Sequence, residues 1–342
     1  MFSVASPPSD EWRLRYVNFE MSRVGFIHAD TESVLVADWR PVFACDHGFD
    51  VPWLTGNLWE SEMIETFKLS SNYTIVAENA VEKETIDGRQ FDRLRLRIAA
   101  LKKKKPVNYG CETLVMAAAS SNDIFIVFLS TPAMDEPTTN RFLQALYELA
   151  ATCRPATVPP AQVAQLRSTI ALGRYLRLVD ATEASQAADQ LRCLRRDALA
   201  EATLASVALP SSPDPWIAQA QLAERDAQHI RYGDGFEASR AEECYREAIR
   251  RRASSYIAHA GLAALYEHTG RESAAVDEWQ AAVETQPSAA EPYYRLGKLY
   301  EKLSRRSDAL ANYRQALRFW RGEPQIRKQL EQTVAELEKQ TP

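Results

Sequence analysis

The sequence predicts an α+β N-terminal domain, a mostly antiparallel sheet with helices, followed by an all-α helical-repeat solenoid. Three observations predict it. Phe91, Leu94, Leu96 and Ile98 alternate with Arg93, Arg95 and Arg97, the period of a half-buried strand. Towards the other end, residue sizes recur at a spacing of 34 residues, as in stacked structural repeats. Beyond them Ile326, Leu330, Val334 and Leu337 make one apolar stripe, opposite a face of Glu, Lys and Gln. A solenoid needs such a polar-faced cap to stay soluble.

The N-terminal elements read in order. Trp12 to Phe19, Val24 to His28 and Ser33 to Phe43 are strand-like runs, and Pro52 to Phe67 reads as a helix. Tyr73 to Lys83 and Phe91 to Ala99 alternate, with Ile86-Asp87-Gly88 as hairpin turn chemistry between them. Cys111 to Ala119 and Asp123 to Ser130 are two further strands, split by Ser120-Ser121-Asn122. The second is apolar without interruption from Ile124 to Leu129, which predicts a central strand buried on both faces. Thr138 to Ala151 closes the domain as a helix, with Phe142, Leu143, Ala145, Leu146 and Leu149 inward. Strands, helix, antiparallel strands and helix define an α+β sandwich. We assign it to residues 1–155, and the helical repeats to 156–342.

Read from Tyr256, the residues Leu262, Ala263, Tyr266, Ala275, Trp279, Ala282 and Pro287 occupy repeat positions 7, 8, 11, 20, 24, 27 and 32. Read from Ala290, Tyr293 takes position 4, and Leu296, Gly297, Tyr300, Ala309, Tyr313 and Ala316 take positions 7 to 27 of the same series. Small residues at 8, 20 and 27 let paired helices approach, and the aromatics fill the space beside them. Gly270 suits a helix C-cap that needs a left-handed backbone. Ser304 to Asp308 is the matching turn without a glycine. This gives clear repeats at 256–289 and 290–322, degenerate hairpins at 161–207 and 215–252, and a capping helix at 323–340. In the 215–252 hairpin, Trp216 is displaced from its expected place. That predicts a lengthened first helix or an inserted loop near Arg231 to Gly235.

These residues resemble the tetratricopeptide repeat (TPR) family: a large aromatic, Leu-Gly, Tyr, then Ala, Phe/Tyr and Ala, closing on Pro. The N-terminal domain is only faintly similar to the PsbP-like fold. The TPR resemblance implies a concave groove lined by positions 2, 5, 9, 12 and 13 of the first helices. Here those are Ile257, Ala260, Ala264, Glu267 and His268, then Glu291, Tyr294, Lys298, Glu301 and Lys302, with Arg295 at a position 6. The preceding hairpin adds Ile217, Gln221 and Glu224 if Trp216 holds its position 4. The Lys/Asn carboxylate clamp of some relatives is not matched, since positions 5 and 9 are Ala/Ala and Tyr/Lys.

The formal net charge is −5. Residues 160–342 hold 25 basic and 25 acidic side chains, leaving 16 and 21 in 1–159. Neither half has the positive excess of a nucleic-acid binder. Five cysteines, irregularly spaced and without a Cys-x-x-Cys pair, argue against a disulfide framework or zinc site. Cys193 and Cys244 read as small apolar helix residues. No signal-peptide pattern and no apolar run of membrane-spanning length occur, so a cytoplasmic location is expected. Lys102 to Lys105 reads as a solvated strand end; contact with an acidic surface, and so peripheral membrane association, is its alternative.

No P-loop, dinucleotide fingerprint or zincin motif occurs. The best chemical cluster is Cys45-Asp46-His47 with Asp50, most simply a polar loop. His259, at position 4, replaces a packing aromatic. We therefore expect no catalytic residues, metal or cofactor. The expected function is a non-catalytic adaptor or scaffold. It binds a protein partner, peptide or helix, in the repeat groove and docks its N-terminal domain to another component of an assembly. The alternatives are a structural subunit of a larger bacterial assembly, or a metal-binding or enzymatic N-terminal domain targeted by the repeats.

Overall fold

The computed structural model describes residues 2–3, 12–18, 23–28, 30–31, 33–43, 60–64, 67, 69, 73–78, 80–117, 124–132, 136–152, 154–155, 159–181 and 188–340. The chain divides into two compact units, Met1–Pro159 and Pro160–Pro342.

The first unit contains β1 (Phe2–Ser3), β2 (Trp12–Asn18), β3 (Arg23–His28), β4 (Val34–Arg40), β5 (Thr74–Glu78), β6 (Glu82–Ile86), β7 (Arg89–Lys102), β8 (Lys105–Ala117), β9 (Ile124–Pro132), α1 (Glu136–Thr152) and β10 (Arg154–Pro155). Eight strands make an antiparallel sheet in the order β2-β3-β4-β9-β8-β7-β5, with β6 also on β7; β1 pairs with β10. β9 lies between β4 and β8, as its apolar run predicts. Successive side chains of a strand alternate faces. Ile124, Ile126 and Phe128 enter one core with Leu96, Ile98 and Met63. Phe125, Val127 and Leu129 enter the other, against Phe142, Leu146 and Leu149 of α1.

Two-residue turns set the register of β6, β7 and β8. Asp87 and Gly88 both have positive φ, 49° and 71°, the backbone of a twist-matched hairpin turn. Lys103 and Lys104 repeat it at 49° and 66°. The lysine run is thus a hairpin tip, and β8 starts well before Cys111. One other expectation changes. Tyr73 to Lys83 divides into β5 and β6, because the long β7 pairs with both, one at each end. Most of the helix expected over 52–67 lies outside the described residues; those described include a π-helical turn at Glu60–Ile64. Charge as well as apolar patterning fixes that turn. Met63 is buried, while Glu62 accepts from Arg23 at 2.9 Å and from Arg15 at 3.1 Å.

The second unit is all helix: α2 (Pro160–Ala181), α3 (Ala188–Ala208), α4 (Asp214–Ala223), α5 (Ala238–Arg251), α6 (Tyr256–His268), α7 (Glu272–Thr285), α8 (Ala290–Lys302), α9 (Arg306–Phe319) and α10 (Pro324–Gln340). Successive helices pack as the pairs α2–α3, α4–α5, α6–α7 and α8–α9, with α10 on α9. Ala263, Ala275, Ala282, Ala309 and Ala316 are fully buried, as are Tyr266, Trp279, Tyr300 and Tyr313 to within a few per cent. A Cβ on Gly297 would lie 2.5 Å from the Tyr313 ring, and one on Gly261 would lie 2.3 Å from the Tyr245 ring. In both, an aromatic lies directly on helix backbone.

Hydrogen bonds repeat at the same spacing as the residue sizes. Trp279 Nε1 donates to Glu267 Oε1 at 2.6 Å, and 34 residues on the Tyr313 hydroxyl donates to Glu301. Arg246 donates to the Tyr266 hydroxyl at 3.0 Å, and Gln280 Nε2 to the Tyr300 hydroxyl at 2.8 Å. The turns match too. Arg271 N–H donates to Tyr266 C=O at 2.8 Å and Arg305 N–H to Tyr300 C=O at 2.7 Å, around Gly270 (φ 72°) and Ser304 (φ 59°). This six-to-one closure is the Schellman helix end. Ser304 adopts the left-handed backbone without being a glycine.

Cys244 is free and buried. Cys193 is disulfide-bonded, which corrects its reading as a small apolar residue. Among the described residues no helix is long and apolar enough to cross a membrane.

Candidate functional site

The groove residues predicted from the repeat register sit on α6 and α8. Their surroundings fall into three groups. Ile257 is 55% exposed, and Glu291, Lys298 and Lys302 are exposed on α8. Ala260 and Ala264 are half-buried and pack on the repeat core, as does Tyr294. Lys298 Nζ lies 5.6 Å from the Tyr294 ring centre, within cation–π range.

Glu267, Glu301 and Arg295 are held by the chain itself. The two glutamates accept the Trp279 and Tyr313 bonds, and Arg295 lies between Glu291 at 3.5 Å and Glu267 at 3.8 Å. Burial, together with the Glu301 bond, pushes the Tyr313 hydroxyl far above its ordinary value. These position-12 carboxylates satisfy aromatic donors that would otherwise be buried without a partner.

His268 is stacked on Tyr232, with ring centres 4.7 Å apart and an angle of 16°; Phe236 meets its edge at 5.6 Å. Tyr232 and Phe236 belong to the loop over 224–237, which joins α4 to α5. That loop is the insertion anticipated from the displaced Trp216. Glu224, 2% exposed, pins its start. It accepts from Arg231 Nε at 2.8 Å and from the Tyr232 and Tyr245 hydroxyls at 2.9 Å each. Asp226 accepts the backbone N–H groups of Gln228 and Ile230, both at 2.8 Å. Gly233 lies so close that a Cβ there would be 1.9 Å from Asp226 Oδ2. The Tyr175 hydroxyl and His229 Nδ1 share a bond of 3.0 Å, and burial pulls the His229 pKa down. Arg195 donates to the carbonyls of Asp226, Leu222 and Arg225 at 2.9 to 3.0 Å. Sequence reasoning missed this lock. Its signal was Asp226 followed by Gly233 and Gly235, which is loop chemistry. Of the three residues offered by the preceding hairpin, Glu224 and Ile217 are buried. They are therefore removed from the lining.

His259 is buried at its packing position, with both ring nitrogens occupied. Nδ1 faces Glu278 Oε2 at 2.6 Å, and Nε2 faces the Ala253 carbonyl at 2.9 Å. The Glu278 bond raises its pKa, with burial opposing. Both partners are acceptors, so both nitrogens carry protons when the ring is charged. Cys45, Asp46, His47 and Asp50 lie outside the described residues. Among the described residues no group of three His, Cys, Asp or Glu side chains is arranged to hold a metal.

No family model and no curated protein matches the chain. Solved structures do resemble it. MamA from Desulfovibrio magneticus RS-1 is 17% identical, covering 50% of this chain and 92% of its own, with TM-score 0.34. Pseudomonas aeruginosa pilF is 18% identical, covering 50% and 68%, with TM-score 0.36. The Arabidopsis OM64 TPR domain is 22% identical, covering 36% and 95%, with TM-score 0.30. These scores are low, and the helix pairing and the 34-residue recurrence define the class: an α+β unit joined to TPR-like helical repeats.

Proposed function

We propose that the chain is a non-catalytic adaptor or scaffold that holds a protein segment, peptide or helix, against the first helices of its last two repeats. The observation that carries this reading is a row of exposed side chains on α6 and α8. Ile257 is exposed, and Lys298 and Lys302 are exposed and make no ion pair among the described residues, while Glu267, Glu301 and Arg295 are committed internally. Small apolar residues on α6 and two lysines on α8 suit an acidic segment with a small apolar anchor. Nucleic acid is not part of the reading, and docking of the N-terminal unit to a second component remains part of it. Lys298→Glu with Lys302→Glu should weaken capture of the native partner at least tenfold while circular dichroism is unchanged; unaltered capture removes the groove.

A second reading is a structural subunit whose repeats associate with copies of themselves. Leu199, Leu204 and Val207 favour it, being 45%, 61% and 78% exposed on α3. Light scattering across a concentration series separates the two, and Leu204→Glu with Val207→Glu should abolish any self-association. Cytoplasmic residence belongs to the proposal on sequence grounds alone, and the Cys193 bond weighs against it, since disulfides persist in oxidising compartments. Mass spectrometry of thiol-trapped protein reads this: an oxidised Cys193 argues against a reducing cytoplasm, and a free thiol removes the objection.

A further inference from the structure

We propose that the first unit binds a small organic oxyanion, a carboxylate or phosphate on an apolar body, on the α1-facing side of its sheet. A cavity of about 570 Å³ opens there, within the range of small-molecule sites. Strand register explains it. Arg97, Gly110 and Thr131 are directly paired across β7, β8 and β9, and so are Arg95, Glu112 and Leu129 in the next matching row. Leu129 packs in the core against α1, so both rows face that helix. Its first turns supply Thr139, Asn140 and Leu143.

Gly110 makes the space. A Cβ there would meet nothing within 4 Å, so the central place of one row is empty between an arginine and a threonine. The charge balance gives the ligand its sign. Glu112 is buried and already shared: Arg93 and Arg95 both donate to it, the second at 2.9 Å. Arg93 also bonds Glu84 at 2.9 Å. Arg97 lines the same cavity, and among the described residues it has no ion pair. A guanidinium without a carboxylate at the mouth of a cavity is a fork that fits a planar or tetrahedral oxyanion bidentately. Leu129 and Leu143 offer apolar wall beside it, which a bare ion would not use. All of its named lining residues belong to the first unit.

Calorimetric titration of the full chain with hexanoate, and separately with hexyl phosphate, tests it. Saturable binding of either probe is expected, the tighter one identifying the head group. The affinity should fall at least tenfold in Arg97→Gln and in Gly110→Leu, and should be unchanged in the Lys298→Glu, Lys302→Glu protein. Arg97 is exposed and the space beside Gly110 is open, so both variants should melt like the parent. Binding of neither probe, or undiminished binding in either variant, overturns the site.

Discussion

Trp279 Nε1 donates to Glu267 Oε1 at 2.6 Å, joining the bulkiest core residue of one repeat to a carboxylate expected to face a partner. Removing the acceptor strands a buried donor, which costs about 1–3 kcal/mol. Glu267→Ala should therefore lower urea-unfolding stability by that amount, and Glu267→Gln, which keeps an acceptor, by less. Equal losses in the two variants would contradict the bond.

Ser304 should be a poor choice at its position. It holds φ 59° where the preceding repeat has Gly270 at 72°, and a side chain in that region costs about 1–2 kcal/mol. Part of the gain from glycine is offset by its greater freedom when unfolded. Ser304→Gly should raise stability by about 0.5–1 kcal/mol, and Gly270→Ala should lower it by at least as much, both read by thermal melting.

His259 should make stability depend on pH. Its pKa is raised in the folded chain, first by the bond to Glu278. The stabilisation is therefore complete below the unfolded histidine value, about 6.5. It is lost as pH rises through the higher folded value. Unfolding free energies measured across that window should decline, and Glu278→Gln should flatten the decline. A profile identical in both proteins would refute the coupling.

Gly233 should tolerate no side chain. A methyl group there meets the Asp226 carboxylate at 1.9 Å, and that carboxylate is fixed by two backbone bonds. Gly233→Ala should cost about 2–3 kcal/mol, in the range of overpacked sites. It should also raise amide exchange over 225–236 more than in α8. Uniform exchange across both regions would mean that the loop is not a separate lock.

What was legible in the sequence follows from which interactions are local. The 34-residue period was visible because packing of helix on helix demands a small or large residue at each place, and composition records size directly. β9 was visible because burial on both faces leaves no polar positions. The division of Tyr73 to Lys83 into two strands was not, because it depends on the length of β7, to which both halves pair. The locked loop was hidden for a related reason. Tyr175 and His229 are far apart in sequence, and neither alone distinguishes a core partner from a surface residue. Within the proposed groove, sequence could not tell Lys298 from Glu267, since only the fold decides which charge already has a partner.

The translational sameness of the bonds around Tyr266 and Tyr300, and around Trp279 and Tyr313, has a consequence for how this chain could change length. A copy of residues 272–305 inserted after Arg305 would present each neighbour with the surface it already meets. Growth by whole modules would therefore enlarge the array without new joints, whereas gain or loss of one residue inside a helix would misalign the contacts that span it.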